Sequence, residues 1–198
     1  MKTLVLFFSK TGNNRYLAKR CAEALAADIE EIRPRLNAVP FLIIFSLMKQ
    51  SLGIRRLRHD VTSYDRIILC GPIWMGQLII PLRAFLKHYG AKVKALIFMT
   101  SCGGGDETKD DKFGYAPVFR EVERLAKGKP VLCEAFPIVL AIPEEKRSDN
   151  NEVMRMRMND NLFSGALQER LERFIEKIKH NHFSSTLPGV RSDMPESK

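Results

Sequence analysis

Three short stretches of this 198-residue chain gather the residue types that could hold a ligand. In the first, Ser9-Lys10-Thr11-Gly12-Asn13-Asn14, hydroxyl and amide side chains surround one glycine. If a helix follows, its free N–H groups and positive dipole end point into the turn, and an anion such as phosphate is the natural guest. The same residues are also favoured as a plain helix cap, so the motif alone leaves seat or cap open. The second, Gly71-Pro72-Ile73-Trp74-Met75-Gly76, carries the single tryptophan in a loop bounded by glycine and proline. Such a ring can stack on a planar ligand or pack on the next helix. The third, Ser101-Cys102-Gly103-Gly104-Gly105-Asp106, has three glycines that let backbone approach a flat ligand closely, or that form a flexible connector.

Other phosphate chemistries lack their residues. Neither GxxxxGK[ST] nor GxGxxG follows the first apolar run, which argues against nucleotide hydrolysis and dinucleotide binding. No cysteine opens the first stretch, as a thiol phosphatase requires. No acid/base dyad or metal-ligand cluster is evident, and the His180/His182 spacing is read as chance. Cys21, Cys70, Cys102 and Cys133 are scattered, as reduced thiols of a cytoplasmic protein would be. Cys102 is expected to pack its loop rather than act as a redox thiol, since no resolving cysteine is adjacent.

The elements that must position these stretches are legible from periodicity. Leu4 to Phe8, Ile67 to Cys70, Ala95 to Met99 and Val131 to Phe136 are apolar on both faces, as in parallel strands covered on both sides. Asp28 to Ile32 is more polar and reads as an edge strand. Helical spacing appears in Leu17/Cys21/Leu25, Leu82/Phe85/Leu86, Val118/Val122/Leu125 and Leu167/Leu171/Phe174/Ile178. Five strands alternating with helices predict a doubly wound α/β domain with helices on both faces of a parallel sheet. In such a sheet, ligands bind beyond the carboxyl ends of the strands, where all three stretches fall.

Together the three stretches resemble the flavodoxin family. Ser9-x-Thr11-Gly12-x-Asn14 is similar to its phosphate loop. Tyr64 to Gly76, continuing through Pro81 to Leu86, looks like its third strand, flavin loop and following helix, and Thr100 to Gly105 like its second flavin loop. The resemblance spans Met1 to Lys179. It implies a three-layer flavodoxin-like αβα fold, a five-stranded parallel sheet of order 2-1-3-4-5, and FMN as cofactor. Ser9, Thr11 and Asn14 would bond the phosphate with their side chains, helped by the amides of Lys10, Thr11, Gly12, Asn13 and Asn14. Pro72, Ile73, Trp74, Met75 and Gly76 would lie along the flavin ring, with Trp74 stacked on it. Ser101, Cys102, Gly103, Gly104, Gly105 and Asp106 would form the opposite wall. The implied function is electron carriage between redox partners. An NAD(P)H-dependent quinone reductase is the alternative, and a flavin-free interaction module is a third reading against which the three loops argue.

Two features depart from the family. Electron-carrier flavodoxins are acidic, whereas this chain carries +9, and six of its cations (Arg33, Arg35, Lys49, Arg55, Arg56, Arg58) fall in an acid-free run from Arg33 to His59. One charge 10 Å from a ring contributes only about 0.4 kcal/mol in water, so charge should alter the choice of partner more than the potential. An acidic redox partner, a small quinone-like acceptor or an anionic surface is expected, and nucleic acid is not. The second feature is an apolar and basic insert at 35–58, whose segment 38–54 would form a helix capping the site rim, docking on a partner, lying on a membrane surface or adding to the core. The domain is expected over 1–180, with a polar, unstructured tail over 181–198.

Overall fold

In the computed structural model, residues 1–50, 53–129, 131–147, 150–163 and 165–180 are described, and the tail expectation for 181–198 lies outside them. Strand β1 (Thr3–Phe7) leads into helix α1 (Asn13–Ala24) and returns through β2 (Asp28–Glu31). After α2 (Val39–Leu47) come β3 (Arg66–Cys70), a small hairpin β4 (Ile73–Trp74) and β5 (Gln77–Leu78), and α3 (Ile80–Tyr89). The chain continues through β6 (Leu96–Cys102), α4 (Ala116–Leu125), β7 (Val131–Pro137), α5 (Asn150–Arg155) and α6 (Ala166–His180).

Five strands form one parallel sheet in the order β2-β1-β3-β6-β7, which is the expected 2-1-3-4-5 when the sheet strands alone are counted. Successive side chains leave a strand on opposite faces, and each central strand feeds two cores. Leu4, Leu6, Ile67, Leu69, Leu96 and Phe98 join the layer of α3 and α4. Val5, Phe7, Ile68, Cys70, Ile97 and Met99 meet α1 and α6 instead. On α6 the expected stripe of Leu167, Leu171, Phe174, Ile175 and Ile178 is buried. Observed strand ends differ from the expected ones by a residue or two, except that β6 runs on to Cys102 because its backbone pairs with β7 through Pro137.

One expectation needs correction. The tryptophan stretch is a two-residue β-hairpin rather than an open loop, with Ile73 opposite Leu78 and Trp74 opposite Gln77. Its turn residues Met75 and Gly76 both have positive φ, 51° and 67°, the pattern of a type I′ turn. Within the insert, α2 does form, yet its polar residue faces inward. Leu42 and Ser46 are buried, while Val39, Phe41, Ile44 and Leu47 remain exposed. The Ser46 hydroxyl donates to the Leu42 carbonyl at 2.5 Å and accepts from the Ile80 N–H at 3.1 Å, supplying the cap that α3 lacks locally. The Ser46 carbonyl accepts from Arg83, a fully buried guanidinium that also forms a two-point pair with Glu121 of α4 at 2.9 and 3.2 Å.

Candidate functional site

All three sequence-predicted stretches lie at the carboxyl ends of β1, β3 and β6, which are neighbours in the sheet. At the end of β1, Gly12 takes φ +98° and starts α1 with no side chain capping it. The Ser9 hydroxyl oxygen accepts from the Gly12 N–H at 3.1 Å, which folds the turn back on itself. Among the described residues, no protein acceptor meets the backbone N–H groups of Lys10, Thr11, Asn13 and Asn14. No acid lies in the first turn of α1 to occupy that positive end. Thr11 is exposed. Uncapped amides, an exposed threonine and a helix dipole give this turn, called the seat below, the donors that an anion would need.

The two asparagines have other work. Asn14 is 2% exposed, donates through Nδ2 to Ser101 Oγ at 2.8 Å and accepts at Oδ1 from the Ser101 N–H at 2.9 Å. The Cys70 thiol donates to the Asn14 carbonyl at 3.4 Å, so one residue fastens the first stretch to the ends of both β3 and β6. Asn13 holds the opposite flank, donating to the Met156 carbonyl at 3.1 Å and accepting from the Met158 N–H at 2.8 Å. Their side chains are therefore committed to protein, and the seat itself is built from amides, Ser9 and Thr11. Lys10 Nζ donates to the Asn37 carbonyl at 2.8 Å and Arg15 pairs with Glu31 at 3.1 Å, so neither cation is directed at the seat by its protein contact.

The hairpin stands beside the seat. Trp74 is half-buried, resting on the core below, and Met75 at its tip is 54% exposed. Gly76 is closely overlaid by another segment, since a Cβ there would run into the Lys112 carbonyl oxygen and lie 2.9 Å from Phe113 Cα. Sequence alone gave no sign of that overlay, nor of the Met156–Met158 segment that receives Asn13. In the third stretch, Ser101 and Cys102 are buried and Gly103 and Gly104 are exposed. Burial pushes the Cys102 thiol up to about 12, against the opposing pull of Arg170, and the thiol donates to the Gly104 carbonyl at 3.5 Å. It stays protonated at neutral pH and packs its loop. The Asp106 carboxylate faces the far side of that loop, accepting from Tyr115 Oη at 2.6 Å and Arg170 at 2.7 Å, and the Arg170 hydrogen bond holds its carboxyl below the usual carboxylate range.

The acid-free basic run also reaches this end of the sheet. A cavity of about 370 Å³ lined by Ser9, Lys10, Arg33, Arg35 and Arg55, with Glu31 its single acid, opens beside the seat, and its four cations raise the local positive potential. The run was visible in the sequence, but its placement next to the seat was not.

No family model matches the chain. Three solved structures share its architecture. A flavoprotein of Lactobacillus acidophilus NCFM in complex with FMN is 17% identical, with a TM-score of 0.55, over 68% of this chain and 91% of that one. A flavodoxin of Streptococcus pneumoniae TIGR4 is 16% identical, with a TM-score of 0.50, over 90% and 98%. An NAD(P)H:quinone oxidoreductase of Methanothermobacter marburgensis is 13% identical, with a TM-score of 0.50, over 92% and 98%. The chain has the flavodoxin-like fold. By sequence, an uncharacterized protein of Archaeoglobus fulgidus is 33% identical over 110 residues, which cover 54% of this chain and 70% of that protein. This flavodoxin-like chain belongs to one family with it. No described helix is long and apolar enough to cross a membrane.

Proposed function

We propose that the chain is an FMN-binding flavoprotein that carries electrons between redox partners. The uncapped start of α1 supports this most, because its amides, Ser9 and Thr11 offer a phosphate monoester a complete set of donors with no competing carboxylate. Beside it, Trp74 supplies an aromatic surface and Gly103 and Gly104 an exposed strip of backbone, between which a flat ring system would be held. FMN supplies the redox chemistry when bound, taking electrons singly or as hydride. The protein's part is to fix the phosphate, hold the ring and set its exposure. The Cys102 thiol stays protonated and packs its loop, and Asp106 is engaged by Tyr115 and Arg170, which supports a positioning role for these groups. The +9 charge favours a negatively charged counterpart, so its rate of electron exchange should fall as ionic strength rises.

The test is anaerobic reductive titration of the protein reconstituted with FMN. Reduction in two separable stages supports one-electron carriage. Reduction in one stage, with steady NAD(P)H consumption in the presence of a quinone, would replace the carrier by a reductase. Absence of FMN binding would remove both.

A further inference from the structure

The outer side of α2 has no partner within the described chain. Phe41, Ile44 and Met48 recur at helical spacing and are 48%, 52% and 57% exposed, and Val39 and Leu47 flank them at 43% and 48%. These are half of the ten large apolar side chains most exposed in the described structure, gathered on ten residues. An apolar patch of this kind marks a surface that meets something else. Phe41 and Phe45 stack with ring centroids 6.4 Å apart, which stiffens the outward ridge.

Basic surface adjoins both ends of α2. Beside the helix lies a cavity of about 1160 Å³ whose wall includes Arg35, Arg56, Arg58, Lys87, His88 and Lys92, with Asp60 its single acid. Arg35 stands just ahead of α2 and donates its N–H to the Gly53 carbonyl, while Lys87 donates to the Lys49 carbonyl just after the helix, at 3.5 and 3.4 Å. The apolar helix and the cationic cavity are thus neighbours, linked through Arg35 and Lys87, on the α2 flank of the molecule. Arg35 also lines the smaller cavity that Ser9 and Lys10 border, so this flank adjoins the seat on β1.

We propose that this flank binds the surface of a bilayer containing anionic lipid, with the α2 ridge entering the interface and the cavity cations meeting the headgroups. The two halves match the two halves of an anionic lipid: α2 offers aliphatic and phenyl side chains outward, and the neighbouring cavity offers the cations. A nucleic acid would leave the apolar ridge uncovered. A second copy would bring two cationic cavities together in a protein already carrying +9.

The full chain is centrifuged with vesicles of phosphatidylcholine alone and of phosphatidylcholine mixed with phosphatidylglycerol. Binding to the mixed vesicles is expected, weakening with added salt, with little retention on the neutral ones. Phe41→Ser or Ile44→Ser should each lower the partition coefficient about tenfold. Arg56→Gln or Arg58→Gln should each lower it about fivefold. Of the two arginines, Arg58 lies 3.8 Å from Glu30, and unchanged melting temperatures will show that all four variants fold. Failure to bind the mixed vesicles, or equal binding by wild type and the α2 variants, would overturn the proposal. So would a dimer in solution that Ile44→Ser dissociates while vesicles retain nothing. None of these outcomes depends on whether FMN binds.

Discussion

Replacing Asn14 by alanine removes a side chain that fastens the turn at 9–14 to β6. Its side chain makes two hydrogen bonds with Ser101, and its Oδ1 also accepts from the Cys70 thiol at 3.6 Å; Asn14 and Ser101 are buried, at 2% and 5% exposure. The variant leaves the Ser101 N–H without an acceptor in a dry site, costing about 1–3 kcal/mol, and loses the amide-to-hydroxyl bond, worth about 1 kcal/mol more. The expected loss is therefore about 2–4 kcal/mol. Ser101→Ala keeps the bond from its own N–H to Asn14 Oδ1 and strands only the Asn14 Nδ2 group, for about 1–2 kcal/mol. Because the amide-to-hydroxyl bond is lost in both single variants but only once in the double variant, the two losses must not add. Urea unfolding of the four proteins, at unchanged m-value, should give a coupling of about 1 kcal/mol. Additivity within about 0.3 kcal/mol would mean that this bond does not join the loops, and the geometry assigned to the site would be refuted.

The two positive-φ glycines of the site should respond differently. At Gly12 a Cβ meets nothing within 4 Å, so Gly12→Ala should cost only the backbone strain of about 1–2 kcal/mol. Gly76→Ala adds a collision with the backbone of Lys112 and Phe113, and should lower the melting temperature further while shifting Trp74 emission as the hairpin lifts. Arg83→Met leaves Glu121 nearly buried without its main partner, for about 3 kcal/mol in urea unfolding, and Arg83→Met with Glu121→Leu should recover most of that. Glu30 sets an acid dependence. Burial raises its pKa, but N–H groups of Arg58 and His59 and the His59 ring at 2.7 Å outweigh that and hold it below the usual carboxylate value. A depressed folded pKa contributes stability that is present above the unfolded pKa and lost as pH falls through the folded one. Stability should thus decline below the normal carboxylate range, less steeply in Glu30→Gln, as thermal melts across acid pH will show.

Much of the fold was legible because β1, β3 and β6 are buried on both faces, and a short continuous apolar run such as Leu4 to Phe8 suits a doubly covered parallel strand and little else. The hairpin was not, because its turn places Met75 in a left-handed conformation that methionine seldom adopts, and no Asn-Gly or Asp-Gly pair announces it. The insert was legible as a helix but not in its orientation. Ser46 faces inward, where it meets the N–H of Ile80 and the guanidinium of Arg83, 34 and 37 residues away. The same limit applies at the site. Residue types at 9–14 reveal a donor-rich turn, yet the side chains of Asn13 and Asn14 meet Met158 and Ser101, 145 and 87 residues distant, so the Asn14 side chain, expected at the phosphate, is engaged in joining the loops.

The central claim is that the start of α1 seats a phosphate beside Trp74. Titration with FMN and with riboflavin, followed through the emission of this single tryptophan, tests it most directly. The two ligands share the ring and differ in the phosphate. Charge-assisted bonds to two amides are worth about 3 kcal/mol, so FMN should bind at least about a hundredfold tighter than riboflavin and quench Trp74 at saturation. Equal affinities, or no quenching by excess FMN, would contradict the account.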